Sequence, residues 1–268
     1  LNKTPILTAY IDGIGLLGPG LSGWPGSQAI IAGQQPYLGQ PTALPLPALL
    51  PAAERRRSGA IVKLTLATGL EAVAAAGLDP ASLPCVYTSS SGDGQNCHEI
   101  CQTLASSDRQ ISPTRFHNSV HNAAPGYWSI ATGAMTPISV LCAYDASFGA
   151  GLLEAMTQVL VDDVTTLLIS CDNPYPEPLH HARPILDNFG IAMVLAPEAG
   201  ALSLARISVS LTSDAAHILD DEALEHLRLN IPSARSLPLL RALAQGQNGR
   251  IVLDYFDHLR IAVEITSC

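Results

Sequence analysis

The stretch from Thr136 to Ala155 (TPISVLCAYDASFGAGLLEA) constrains the fold more than any other. It reads as a buried strand, a sharp turn and a helix. Ile138 to Tyr144 is short and apolar or small at nearly every position, which fits a strand covered on both faces. Asp145, with Ser147 just after it, is a helix-start signal. Phe148, Leu152, Leu153, Met156, Val159 and Leu160 then recur at helical spacing and give the helix an apolar face. Many folds display a nucleophile at such a junction, because N–H groups at the helix start stabilise an anion. Here the junction residue is an acid, Asp145, and its expected role is to cap the helix.

The rest of the chain supplies a layered α/β pattern. Pro5 to Ile14 is expected to be a first strand leading into a glycine-rich surface turn at Gly13, Gly15, Gly18 and Gly20. Gly13 to Gly18 spells Gly-x-Gly-x-x-Gly, but Pro19, Gly20 and Pro25 oppose the helix that a dinucleotide site needs. Residues 35–51, rich in proline and leucine, read as an ordered loop packed on the body. Residues 58–78 form the clearest early helix, and 83–89 a short strand. Short helices are expected over 98–105 and, with small residues that permit close approach to a neighbour, over 122–131. Thr165 to Cys171 is a buried strand; Gly190 to Ala196 and Ala205 to Leu211 look like an antiparallel pair. Two helices are expected within 214–229 and 236–243. Alternating faces over 250–255 and 259–265 predict a terminal hairpin.

Composition excludes several classes. The chain has 268 residues, 47% hydrophobic and 14% charged, enough for one large core. A net charge of -9 with no basic tail argues against nucleic acid or an anionic membrane as partner. Arg55-Arg56-Arg57 is the one basic cluster, a solvated helix end or a dock for an acidic carrier protein. No membrane span is expected, because Asp162 and Asp163 interrupt the best apolar run. The first residues lack a signal-peptide pattern, and the six cysteines read as reduced, buried thiols, so a cytoplasmic protein is expected. Cys97-His98-x-x-Cys101 and the His117/His121 pair lack further ligands at metal-site spacing, so no metal is expected.

Ser119 to Phe148 resembles the β-ketoacyl-acyl-carrier-protein synthase family without a gap. Asn122, Gly126, Ile130, Gly133 and Pro137 stand where that family has its Asn, Gly, Ile, Gly and Pro. Ala143-Tyr-Asp-Ala-Ser147 falls on the family's Thr-Ala-Cys-Ala-Ser/Thr element, and Gly149 to Ala155 on the helix after it. Ile11 to Gly15 resembles its first strand and glycine turn; Ala182-Arg-Pro184 to Leu195 resembles its Arg-Pro-Phe-Asp to Gly-Glu-Gly-Ala region. The likeness is good from about Pro5 to Ile207 and poor beyond. The resemblance implies one thiolase-like layered α/β domain over 1–268, with halves 1–185 and a truncated 186–268, and no cofactor.

Two departures shape the functional expectation. Asp145 stands at the position of the nucleophilic cysteine, where an acyl-aspartate would be an anhydride rather than a useful intermediate. The family's two catalytic histidines have no counterpart after Asp187; His217, His226 and His258 lack the expected neighbours. The chain therefore resembles the chain length factors, non-catalytic subunits that pair with an active ketosynthase and shape the tunnel for the growing chain. HNSVHNAAPGYWSIATG and LCAYDASFGAGLLEA look most like the factors of bacterial aryl polyene clusters. The implied partners are an active ketosynthase subunit, in a heterodimer or dimer of heterodimers, and an acyl carrier protein. In this family the segment before the nucleophile faces the partner's acyl pocket. Here that segment is Arg115, Phe116, His117, Asn118 and Ser119, with Ser90 nearby, and Phe148 is expected to block the chain's own pocket. Two alternatives stand beside this. One is an active condensing or decarboxylating enzyme with Cys142 as substitute nucleophile, although a strand cysteine is more often inert core. The other is a homodimer with a new ligand.

Overall fold

The computed structural model describes residues 6–268; Pro5, at the expected start of the first strand, and the head of the segment read for a signal peptide lie outside the described residues. β1 (Leu7–Gly18) does not end at its glycines but runs through them. β2 (Leu21–Ser22) folds back on its end, and α1 (Trp24–Ile31) follows with Pro25 in its first turn, where a missing N–H costs nothing. The expected glycine-rich surface turn is thus corrected to buried strand at Gly13, Gly15 and Gly18, and holds at Gly20, which lies in the turn between β1 and β2 at φ 64. A Cβ on Gly13 would meet the Ala72 carbonyl oxygen at 2.1 Å, and one on Gly15 the Thr68 oxygen at 1.9 Å. Glycine is required there because a helix backbone lies directly against the strand.

That helix is α3 (Ala60–Ala75), preceded by the exposed α2 (Ala52–Arg57). Then come β3 (Cys85–Thr88), α4 (Gly94–Ala105), α5 (Pro113–His117), α6 (Ala123–Thr132) and β4 (Ile138–Leu141). α7 (Ser147–Val161) leads to β5 (Thr166–Asp172), the one-turn α8 (Leu179–Ala182), β6 (Phe189–Ala196) and β7 (Ala205–Thr212). α9 (Glu222–Asn230), α10 (Leu237–Ala244) and the hairpin β8 (Gly249–Phe256) and β9 (Leu259–Ser267) complete the chain.

The nine strands of the described residues form one sheet in the order β4-β3-β5-β6-β1-β7-β9-β8, with β2 attached to β1. β3 is parallel to β4 and β5; the remaining pairings are antiparallel. β6 and β7 are not the expected antiparallel pair. β1 lies between them, antiparallel to both, so that β6, apolar throughout, pairs with one of its edges and the alternating β7 with the other. The segments 1–185 and 186–268 accordingly do not part into two sheets, since β6 sits between β5 and β1.

Helices cover both faces. Residues of α1, α7, α9 and α10 join one apolar cluster, and those of α3 and α6 the other. α3 and α6 approach closely: Gly69 of α3 leaves room for the Trp128 ring, and Ala124 of α6 joins the same apolar cluster as α3. The loop over 35–51 is tied down by Tyr37, whose hydroxyl donates to the Pro19 carbonyl, and by Thr42, which bonds Asp187 and Asn188. Among the described residues no helix is long and apolar enough to cross a membrane. Of the cysteines, Cys85 and Cys171 are buried, whereas Cys97, Cys101, Cys142 and Cys268 are exposed, which corrects the expectation of uniformly buried thiols.

Candidate functional site

The strand-turn-helix junction forms, with different detail. β4 ends at Leu141 and is an edge strand, half-buried along its length, so it is not covered on both faces. A short 3-10 turn over Tyr144–Ala146 precedes α7. Asp145 does not cap α7; the capping position is Ala146, and no side chain serves it. Ser147 stabilises the bend instead, its hydroxyl donating to the Tyr144 carbonyl and accepting from the Ala143 N–H.

The Asp145 carboxylate is held by two guanidiniums. Arg183 Nη2 donates to Oδ1 at 2.5 Å, and Arg235 Nη2 to Oδ2 at 3.2 Å. A cap would offer this carboxylate neutral N–H donors, whereas two charged donors bind it more strongly. Arg183 also donates to the Tyr175 hydroxyl at 2.7 Å and lies 3.6 Å over the Tyr144 ring. Burial alone would lower the Arg183 guanidinium, but the Asp145 hydrogen bond and charge outweigh it and hold it above its usual value. Tyr144 sits at φ 52, in the left-handed region that a bulky residue rarely adopts.

Cys142 lies beyond the end of β4, exposed, with its Sγ 3.2 Å from the Ser90 carbonyl oxygen; it is not a core cysteine. Ser90 is buried at the end of β3. Its N–H donates to Asp172, whose other oxygen accepts from Ser233 N–H, each at 2.8 Å. A fully buried carboxylate thus ties the loop after β3 to the 3-10 turn over Pro232–Ser236.

Of the expected tunnel and interface residues, the structure brings Phe116 and His117 together on one groove of about 500 Å³. Val120, Tyr127 and Ile130 line it as well. Phe116 is 67% exposed and Met135, between α6 and β4, 95%. Arg115 turns away to pair with Glu99. Asn118 is buried, its amide donating to the Arg57 carbonyl and its oxygen accepting from Tyr127. The Ser119 hydroxyl donates to the Phe116 carbonyl. Neither Ser90 nor Phe148 lines this groove. Phe148 is packed in the core beside Leu152.

His117 ends α5 and His121 lies in the next turn, 3.0 Å by Nε2 from the Ser89 carbonyl, so the two do not share a helical face. Arg235, Asp172 and Tyr144 were not singled out by sequence reasoning, and Arg183 only as part of a motif. An acid directly after the apolar run TTLLISC was the available signal for Asp172.

The sheet flanked by helices and the polar junction at the start of α7 define a thiolase-like protein with the mixed α/β fold of a ketosynthase N-terminal domain. The chain belongs to the beta-ketoacyl synthase family, whose N-terminal domain pattern matches residues 30–252. No curated protein matches the sequence. Among solved structures, the chain is similar to the ketosynthase (ApeO) in complex with its chain length factor (ApeC) from Xenorhabdus doucetiae, with a TM-score of 0.73 and 24% identity over 96% of this chain and 99% of that one. It is similar to the ishigamide ketosynthase/chain length factor, at a TM-score of 0.71 and 14% identity over 97% and 99% of the two chains. It also resembles AntDE:AntF, a type II acyl-carrier protein in complex with its ketosynthase, at a TM-score of 0.74 and 11% identity over 98% and 100%. At these identities the likeness to the solved structures is one of fold.

Proposed function

We propose that this chain is a non-catalytic chain length factor that pairs with an active β-ketoacyl-acyl-carrier-protein synthase and shapes its acyl tunnel, of the aryl polyene type. The observation that carries the reading is Asp145. By the resemblance of its segment it stands at the position of the family nucleophile, and both its oxygens are engaged by Arg183 and Arg235. A carboxylate shared by two guanidiniums is a weak nucleophile, because attack on an acyl carbon would strip it of both charge-assisted bonds.

The surface supports pairing with another subunit. Among the described residues β4 leaves one edge of its backbone unpaired, and single chains usually protect such an edge. The apolar groove of Phe116, Val120 and Ile130 lies on α5 and α6, just before that edge in the chain. Together they offer a backbone edge and an apolar wall to a partner with a matching fold. Arg55, Arg56 and Arg57 on α2 suit an acidic carrier protein, as the main basic cluster of a chain with net charge -9.

The exposure of Cys142 favours a second reading, in which this chain itself carries the acyl group. Co-expression with a candidate active ketosynthase separates the two. Size-exclusion chromatography and intact mass are read after incubation with acyl-loaded carrier protein. A one-to-one complex with acyl mass only on the partner supports the chain length factor. A self-sufficient dimer whose acyl mass disappears on Cys142→Ala overturns it.

A further inference from the structure

A cleft of about 470 Å³ opens on the α3 side of the sheet, opposite α7 and the Asp145 junction. Its floor is Leu66, Ala67 and Leu70 of α3, and the Pro-rich loop carries Leu46 and Leu49 over it, both largely exposed. That size and apolar lining match a small-molecule site.

Two charged side chains reach the cleft, Glu71 and Lys63. Glu71 is spoken for: its oxygens accept the backbone N–H groups of Leu16 at 2.8 Å and Trp24 at 2.6 Å. Lys63, half-buried on α3, has an ammonium group that makes no hydrogen bond or ion pair among the described residues, and it is the single lysine within them. A cation without a counter-ion beside an apolar wall selects for a ligand that brings both an anionic head and an apolar body.

We propose that this cleft binds a small amphipathic anion, one carboxylate on an unbranched aliphatic chain, with Lys63 holding the carboxylate and the leucines of α3 and the loop covering the chain. The site is separate from the Asp145 junction and does not depend on the role proposed above.

The test is calorimetric titration of the full chain, or of its complex if it is isolated as one, with decanoate and with decyltrimethylammonium, each below its micelle concentration. Decanoate is expected to saturate one site per chain that the cationic amphiphile does not fill. Lys63→Met, which keeps the aliphatic stem, is expected to weaken decanoate at least fivefold. Ala67→Phe, which fills the floor, is expected to abolish that site. Lys63 is partly solvent-facing, so its variant remains informative if Ala67→Phe fails to fold. Absence of saturable binding, equal binding of the two head groups, or binding unmoved by Lys63→Met overturns the proposal. So does a change of oligomeric state in the variants without any decanoate effect, which would make the cleft a protein interface.

Discussion

Asp145 and Arg183 stand 38 positions apart in the chain and 2.5 Å apart in the fold. Arg235, 90 positions from Asp145, closes the same carboxylate from the other side. The pair of guanidiniums is 16% and 19% exposed and the carboxylate 40%, so solvent screens the arrangement in part. Asp145→Ala is expected to leave two facing cations and to cost about 1–2 kcal/mol in urea unfolding. Asp145→Cys is expected to show no condensing activity, because a thiol without its histidines lacks the groups that activate it and stabilise the enolate. Turnover by Asp145→Cys alone would contradict this.

Cys142 is expected to react with N-ethylmaleimide well before Cys85 and Cys171. Burial pushes the Cys171 thiol up to about 12 and raises that of Cys85 also, so neither presents a thiolate at neutral pH. Cys142→Ser should leave both stability and the complex's condensation rate unchanged. A tenfold loss of rate would make Cys142 the nucleophile.

The groove on α5 and α6 is expected to be covered in the assembly. Val120 and Ile130 are each about half-exposed, so Val120→Asp or Ile130→Asp costs the isolated chain within about 0.5 kcal/mol. Either change should prevent co-purification with the partner, since a buried unpaired carboxylate opposes association. Unaltered co-elution on size exclusion would place the interface elsewhere.

Gly13 and Gly15 are expected to tolerate no side chain. Each added methyl meets α3 backbone oxygen, which cannot move aside, so Gly13→Ala and Gly15→Ala should each cost about 3 kcal/mol or more. Gly26 of α1 has nothing within 4 Å of its added Cβ, and Gly26→Ala should be neutral or stabilise by up to about 1 kcal/mol. Thermal melts of the three variants check the contrast.

Glu71 gives a pH prediction. Burial raises its carboxyl, and the Leu16 and Trp24 N–H groups pull it back only in part. The folded state therefore holds the Glu71 proton more tightly than the unfolded chain does. Its contribution is fullest below the usual carboxylate range and declines as pH rises through the raised value. The stability of the native chain relative to Glu71→Gln should fall as pH rises through and above the usual carboxylate range. A rise over that range, in urea midpoints, would reverse the assignment.

The elements that local pattern specifies were legible. TTLLISC, short with an apolar centre, and GIAMVLA, apolar throughout, became β5 and β6; the alternation over 259–265 became β9. What failed was decided by distant neighbours. Glycines ordinarily mark turns, and only the approach of α3 explains why those in β1 lie within a strand. Periodicity carries no information on which strand is adjacent, so the insertion of β1 between β6 and β7 was hidden. At the junction, the acid was visible but its partners were not, because neither arginine is close to it in sequence. The exposure of Cys142 followed from the early end of β4 at Leu141, and element ends are the least legible feature of a sequence.

The position of β1 also governs when the protein is able to fold. Leu7 pairs with Val209 and Leu17 with Gly190, so β1 meets its partners only after the 173 to 202 residues that separate them have been made. At about 5–20 residues per second, that is a wait of roughly 10–40 s with both apolar edges open. The nascent chain is therefore a natural client for a holding chaperone, and yield should depend more on synthesis rate than on the final stability of the sheet.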